Sequence, residues 1–185
     1  MKLTSKTLAV IIVTSLALDV LALGKPAPSF RLRGSDGRTY TAKKMTRGKP
    51  VLLVFFTAGC PHNVHGIADM NRLVKMLRGR VRLMGITNLN AKETRLFALK
   101  HHTRFPVLAD PKAKTIAGFG ATASLDNALV LANGTTVKMW NGYNQSTLKQ
   151  LEAELRRQHG PSLSLDLASF PKDRQSGCPF PEEAH

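Results

Sequence analysis

The sequence predicts an α/β domain, a three-layer sandwich around a mixed sheet that is parallel in its middle and antiparallel at its edge. Three observations carry that expectation. Val51-Leu52-Leu53-Val54-Phe55-Phe56 is an unbroken apolar run of strand length, the pattern of a strand buried on both faces. Residues 61–78 are amphipathic at helical spacing, with Val64, Ile67, Ala68, Val74 and Leu77 on one side and Asp69, Arg72, Lys75 and Arg78 on the other. Around this pair the segments read in the order hairpin, then β-α-β-α-β, then hairpin and helix.

Taken in order, Lys25-Pro26-Ala27-Pro28 is a short stiff leader. Residues 29–32 and 38–41 read as strands around Gly34-Ser35-Asp36-Gly37, whose Asp-Gly pair favours a tight hairpin turn. Gly48-Lys49-Pro50 separates this hairpin from the central strand, and Thr57-Ala58-Gly59-Cys60 is the loop that leaves it. Beyond the amphipathic helix come a strand at 81–87, a helix at 92–101 and a short strand at 105–108. A second hairpin, 128–132 with 137–140, turns at Asn133-Gly134. An amphipathic helix at 148–157 closes the domain, and Gly160-Pro161 stops it. Residues 25–160 thus form the domain. Residues 161–185 have no sustained period and read as an irregular tail.

The first 24 residues read as a targeting segment. Lys2 and Lys6 form a positive start, residues 8–23 are an apolar run, and Ala22-Leu23-Gly24 offers small residues to a signal peptidase. The run is long for a cleaved signal and Asp19 interrupts it, so an uncleaved membrane anchor through residues 8–23 stands beside the signal peptide. Both place the domain outside the cytoplasm: periplasmic, secreted, or membrane-anchored and facing outward.

The 27 Lys+Arg against 12 Asp+Glu give a formal net charge of +15. Such a balance attracts anions in general. A nucleic-acid binder, however, needs a basic stripe with interleaved aromatics. Here the cations are scattered over every segment and aromatics are 6% of residues, so no nucleic-acid partner is expected. Two cysteines exclude a disulfide-dense scaffold but suffice for one redox pair. No cofactor is expected.

Cys60 stands between the predicted buried strand and the predicted helix, with Pro61 at the first helical position. A thiol there faces unpaired backbone N–H groups and the positive end of the helix dipole, and both favour the thiolate. Strand-to-helix junctions are exposed, whereas a packing cysteine belongs inside the strand. The position therefore reads as an activated nucleophile.

Five segments then fall in one order: Gly24-Lys25-Pro26-Ala27-Pro28-Ser29-Phe30; Asp36-Gly37; residues 48–56 from Gly48-Lys49-Pro50 onward; Thr57-Ala58-Gly59-Cys60-Pro61; and Phe105-Pro106-Val107-Leu108-Ala109-Asp110. Over residues 24 to about 155 the chain resembles the alkyl hydroperoxide reductase/thiol-specific antioxidant superfamily. That is the thioredoxin-like redoxin group of peroxiredoxins and exported thioredoxins. The resemblance implies a thioredoxin-like fold and a thiol-dependent oxidoreductase acting on a peroxide or a disulfide, with a reducing thiol protein as partner. It makes Cys60 the redox nucleophile and places Thr57 as a hydrogen-bond donor near its sulfur. Cys178-Pro179 in the tail resembles the family's resolving cysteine, which attacks the sulfenic acid on the first. Otherwise Cys178 is a free thiol, or one paired with another chain.

The departures matter. Asn63 stands where a thioredoxin has its second cysteine, so exchange within the turn is impossible. Leu53 replaces the proline that precedes the peroxiredoxin threonine. Leu125 falls where peroxiredoxins have an arginine and thioredoxins a cis-proline. The competing reading is a non-catalytic thioredoxin-fold interaction module. A less favoured rival is a copper-binding thioredoxin-fold chaperone, with a copper(I) or zinc site from Cys60, His62 and His65 with His101 or His102. Residues 62 and 65 of a helix need not both reach Cys60, and His101-His102 suits a helix end.

Overall fold

The computed structural model describes residues 24–159 and 163–181. Its strands are β1 (Lys25–Pro26), β2 (Arg31–Gly34), β3 (Thr39–Thr41), β4 (Val51–Phe56), β5 (Arg82–Thr87), β6 (Val107–Ala109), β7 (Asn127–Val130) and β8 (Thr135–Trp140). Its helices are α1 (Ala42–Thr46), α2 (Asn63–Leu77), α3 (Ala91–Lys100), α4 (Lys114–Phe119) and α5 (Gln145–His159). The strands form one sheet in the order β1-β8-β7-β4-β5-β6-β2-β3. β4, β5 and β6 run parallel at its centre, and antiparallel strands complete both edges. The mixed α/β sandwich expected from the sequence is the fold.

β4 explains the three layers. All six of its residues are buried, and because strand side chains alternate faces it feeds two cores at once. Leu52, Val54 and Phe56 join Ile67, Met70 and Leu73 of α2 and Leu148, Leu151 and Leu155 of α5. Val51, Leu53 and Phe55 join Met45 of α1 and Ile116 and Phe119 of α4 on the opposite face. The short helices α1 and α4, absent from the sequence reading, therefore form the second cover. At five and six residues they show less than two turns of periodicity, too little to recognise.

The predicted helix after Cys60 begins two residues later than expected, at Asn63, and its buried face is rotated. Val64 is 56% exposed, whereas Asn63, Gly66, Ile67, Asp69, Met70, Leu73 and Leu77 face inward. Asp69, assigned from the sequence to the solvent side, is buried because the Tyr143 hydroxyl donates to it at 2.6 Å and Arg72 pairs with it.

Among the described residues 163–181 of the tail there is no named helix or strand, yet this segment lies on the core. Leu163, Leu165, Leu167 and Phe170 are buried in the cluster shared by α2 and α5. The signal was present: leucine alternates with Ser and Asp through 163–167, a period-2 pattern that places one side inward. No helix among the described residues is long and apolar enough to cross a membrane. The expected targeting segment, apart from Gly24, and the Gly160-Pro161 stop lie outside the described residues.

Candidate active site at Cys60

The strand end fixes the turn. Beyond Phe56 the Thr57 N–H donates to Ser124 Oγ at 3.1 Å and the Ala58 N–H to Asn88 Oδ1 at 2.8 Å. Gly59 turns the chain with φ +72°, a conformation that costs glycine nothing. Cys60 follows, and the Asn63 N–H donates to its carbonyl at 3.2 Å, opening the first turn of α2.

Asn63, in the place of the missing second cysteine, is a structural strut. Its Nδ2 donates to the Thr57 carbonyl at 2.9 Å, and its Oδ1 accepts from Ser124 Oγ at 2.6 Å. Thr57, Asn63 and Ser124 thus close a buried ring under the cysteine turn. Sequence reading missed Ser124 because its partners lie more than sixty positions away.

The loop before β7 forms the facing wall. The buried Asp126 carboxylate gathers the N–H groups of Thr122 (2.9 Å), Ala123 (3.0 Å) and Gly142 (2.9 Å). Leu125, at φ +73°, donates its N–H to the Phe55 carbonyl at 2.7 Å. Its side chain is buried against Gly66, where an added Cβ would meet Leu125 Cδ2 at 2.3 Å. The position that the resemblance reserves for an arginine or a cis-proline thus holds an apolar side chain packed on α2. No peptide bond among the described residues is cis.

The tail comes to this wall and crosses Cys60. Tyr143 and Gln175 exchange main-chain bonds of 2.9 and 2.8 Å, and the Phe180 N–H donates to the Thr122 carbonyl at 2.9 Å. Between them the Gly177 N–H donates to the Ser124 carbonyl and the Ser124 N–H to the Cys178 carbonyl, both at 2.8 Å. The Cys178 N–H donates to Cys60 Sγ at 3.0 Å, and the Thr57 hydroxyl donates to the Cys178 carbonyl at 3.1 Å. The structure therefore brings Cys60, Thr57 and Cys178 together, with both cysteines as free thiols.

Two details differ from the sequence expectation. Thr57 points its hydroxyl at the tail carbonyl; the donor on the sulfur is a main-chain N–H. Cys60 is 5% exposed, not open at a junction, because residues distant in sequence cover it.

Burial pushes the Cys60 thiol up, but hydrogen bonds outweigh it and hold the thiol below its ordinary value. The donors are the Cys178 thiol and the N–H groups of Cys178, His62 and Asn63. Cys178 is pushed the other way, first by its hydrogen bond to Cys60, then by burial and by the Cys60 charge. One thiol is thus biased toward the thiolate and its neighbour toward the protonated form. No cation contributes to either shift, despite the net charge. His62 and His65 are exposed, and among the described residues no group of three His, Cys, Asp or Glu side chains can hold a metal ion.

Comparison with known proteins bears on the family and the fold. The family model described as AhpC/TSA family matches residues 23–139. Chloroplastic peroxiredoxin Q of Triticum aestivum is 28% identical over 120 residues, covering 63% of this chain and 54% of that one. The chain spans about half the length of the peroxiredoxin Q relatives it matches. The thiol:disulfide interchange protein DsbE of Escherichia coli (strain K12) is 46% identical over 46 residues, 24% of this chain and 25% of that one. A cysteine-to-serine mutant of Xanthomonas campestris peroxiredoxin Q superimposes with a TM-score of 0.61 at 18% identity, covering 72% of this chain and 98% of that one, which shows a shared fold.

Proposed function

Because this chain belongs to the AhpC/TSA family, we propose that it is a thiol-dependent oxidoreductase in which Cys60 is the redox nucleophile and Cys178 the resolving thiol. The observation that carries this reading is the contact itself: Cys178 lies on Cys60, with its N–H 3.0 Å from the sulfur. The favoured oxidising substrate is a peroxide. The Cys60 thiolate attacks one peroxide oxygen, an S–O bond forms as the O–O bond breaks, and the alkoxide or hydroxide takes up the proton released when the thiol ionised and leaves as alcohol or water. The sulfur, now a sulfenic acid, has lost two electrons and the peroxide has gained them. Cys178 then attacks that sulfur, an S–S bond forms, and the hydroxyl leaves as water with the Cys178 proton. An external dithiol returns the pair to two thiols by exchange.

A disulfide substrate is the second reading, favoured by the segment shared with DsbE. The Cys60 thiolate then displaces one thiolate from the substrate to give a mixed disulfide, and Cys178 displaces the other. Both routes end on the same Cys60–Cys178 bond. Thr57, through the Cys178 carbonyl, holds the resolving residue in place. The N-terminal run supports export through a signal peptide or a membrane anchor over residues 8–23, with a reducing thiol protein in the same compartment.

Intact-protein mass spectrometry after one equivalent of hydrogen peroxide, with peptide mapping, tests the assignment. The expected product has lost two hydrogen atoms and links Cys60 to Cys178. A sulfinic acid on Cys60 beside a free Cys178 thiol removes the resolving role. A Cys60→Ser protein that still consumes peroxide or exchanges disulfides removes the catalytic one.

A further inference from the structure

Two polar groups that could meet an incoming substrate at Cys60, its own sulfur and the Thr57 hydroxyl, are already engaged by the protein's own tail. The sulfur accepts the Cys178 N–H at 3.0 Å, and the Thr57 hydroxyl is spent on the Cys178 carbonyl at 3.1 Å. The clefts of ≈ 890 and ≈ 790 Å³ both lie around Arg104, Phe105 and Pro106, and neither includes Cys60. The segment that closes the site is held by main-chain bonds, Gln175 to Tyr143, Gly177 and Cys178 to Ser124, and Phe180 to Thr122, and by the Phe180 side chain packed on the core.

One residue decides whether this segment can come so close. At Gly177 an added Cβ would lie 2.7 Å from Ser124 Cβ and 3.0 Å from Cys60 Sγ. The first of these contacts is shorter than side chains tolerate, and Ser124 cannot retreat: its hydroxyl is fixed by Asn63 and Thr57. On the other side Gly142 is equally constrained, since a Cβ there would stand 2.2 Å from the Gln175 carbonyl. Glycine on both surfaces is what permits the approach.

We propose that residues 175–180 are a removable strap that both completes and closes the Cys60 site, with Gly177 as its positioning residue and the Cys178 main-chain N–H as its donor to the sulfur. Seated, the strap supplies hydrogen bonds that favour the thiolate and excludes outside reagents. Lifted, it exposes the sulfur and frees the Thr57 hydroxyl, and the thiolate loses that support. The anchor of the strap stays behind, because Leu163, Leu165, Leu167 and Phe170 remain in the core.

The role in catalysis rests on the function proposed above, but the test does not. It uses the full chain with Cys178→Ser, which leaves Cys60 as the only thiol, and follows alkylation by iodoacetamide across pH. The rate plateau at high pH reports access, and the midpoint reports the thiolate. Gly177→Ala in this background moves the donor off the sulfur and loosens the strap. The midpoint then shifts to higher pH and the plateau rises about tenfold, the factor that corresponds to an opening equilibrium eased by about 1.4 kcal/mol. Ending the same chain at Asp173 keeps the buried leucines and gives the same two changes, larger. A merely structural effect of Gly177 lowers the melting temperature without moving the midpoint. Any pattern other than both shifts together, in the point variant and in the shortened chain, overturns the proposal. Neither readout requires a peroxide or a disulfide, so failure here is distinct from failure of the enzymatic assignment.

Discussion

Asn63 ties the cysteine turn to its surroundings at the residue scale, donating to the Thr57 carbonyl and accepting from the Ser124 hydroxyl. Removing its side chain leaves the Ser124 hydroxyl and the Thr57 carbonyl buried and short of a partner. Each such loss costs about 1–3 kcal/mol. Asn63→Ala is therefore expected to lower the unfolding free energy by about 2 kcal/mol or more in a urea titration, and a change below about 0.5 kcal/mol would contradict the ring. The place of Cys60 between strand and helix was legible because a strand, a loop and an amphipathic helix met at it within a short stretch of sequence. Its burial was not, since the covering atoms belong to Gly177 and Cys178. Leu125 was legible in part. The sequence shows that no arginine or proline stands there, but only the contact with Gly66 explains how a leucine at φ +73° is retained.

At the scale of elements, α2 is tied to the turn between β8 and α5 by Tyr143, whose hydroxyl donates to Asp69 at 2.6 Å. Burial, and then the bond to the Asp69 carboxylate and its charge, hold the Tyr143 phenol far above its ordinary range. The folded form thus keeps the proton to higher pH than the unfolded chain does. The resulting stability is complete below about pH 10, the unfolded value, and is lost as pH rises beyond it. The Tyr143 contribution to melting temperature is expected to be flat through neutral pH and to fall above about pH 10. Tyr40, raised in the same sense by burial and by Asp36, adds to the fall, so Tyr143→Phe makes the slope shallower without abolishing it. A slope identical in the two proteins would show that Tyr143 ionises as freely when folded as when unfolded. This link was hidden in the sequence because Asp69 falls among charged neighbours on α2, and a tyrosine 74 positions away is what turns it inward. The central strands, by contrast, were read nearly to the residue, since β4 carries its burial in an uninterrupted run of apolar side chains.

For the whole molecule, the two cores on either side of the sheet differ in who completes them. One is covered by α1 and α4 together with Phe30 and, from the strap, Phe180; the other takes α2, α5 and the side chains of residues 163–170. Leu165→Ala is expected to cost about 2–5 kcal/mol, as for other large-to-small changes in a packed core, measured by denaturant unfolding. A cost typical of a surface site, within about 0.5 kcal/mol, would mean that the tail is not part of the fold. If the N-terminal run directs export, fractionation of cells expressing the full chain should place the domain in the periplasm, the medium or the membrane; intact chain beginning at Met1 in the soluble cytoplasm would oppose it. The strap itself has a mechanical consequence. Its main-chain bonds sit one after another along the chain, Phe180 outermost, then Cys178 and Gly177, then Gln175. A pull on the C-terminal end away from the sheet loads them in succession, as tape is peeled, so the resisting force is that of one bond at a time. The same pull directed along the sheet loads all of them together and meets their combined resistance. The direction from which the end is gripped therefore sets how readily Cys60 is uncovered.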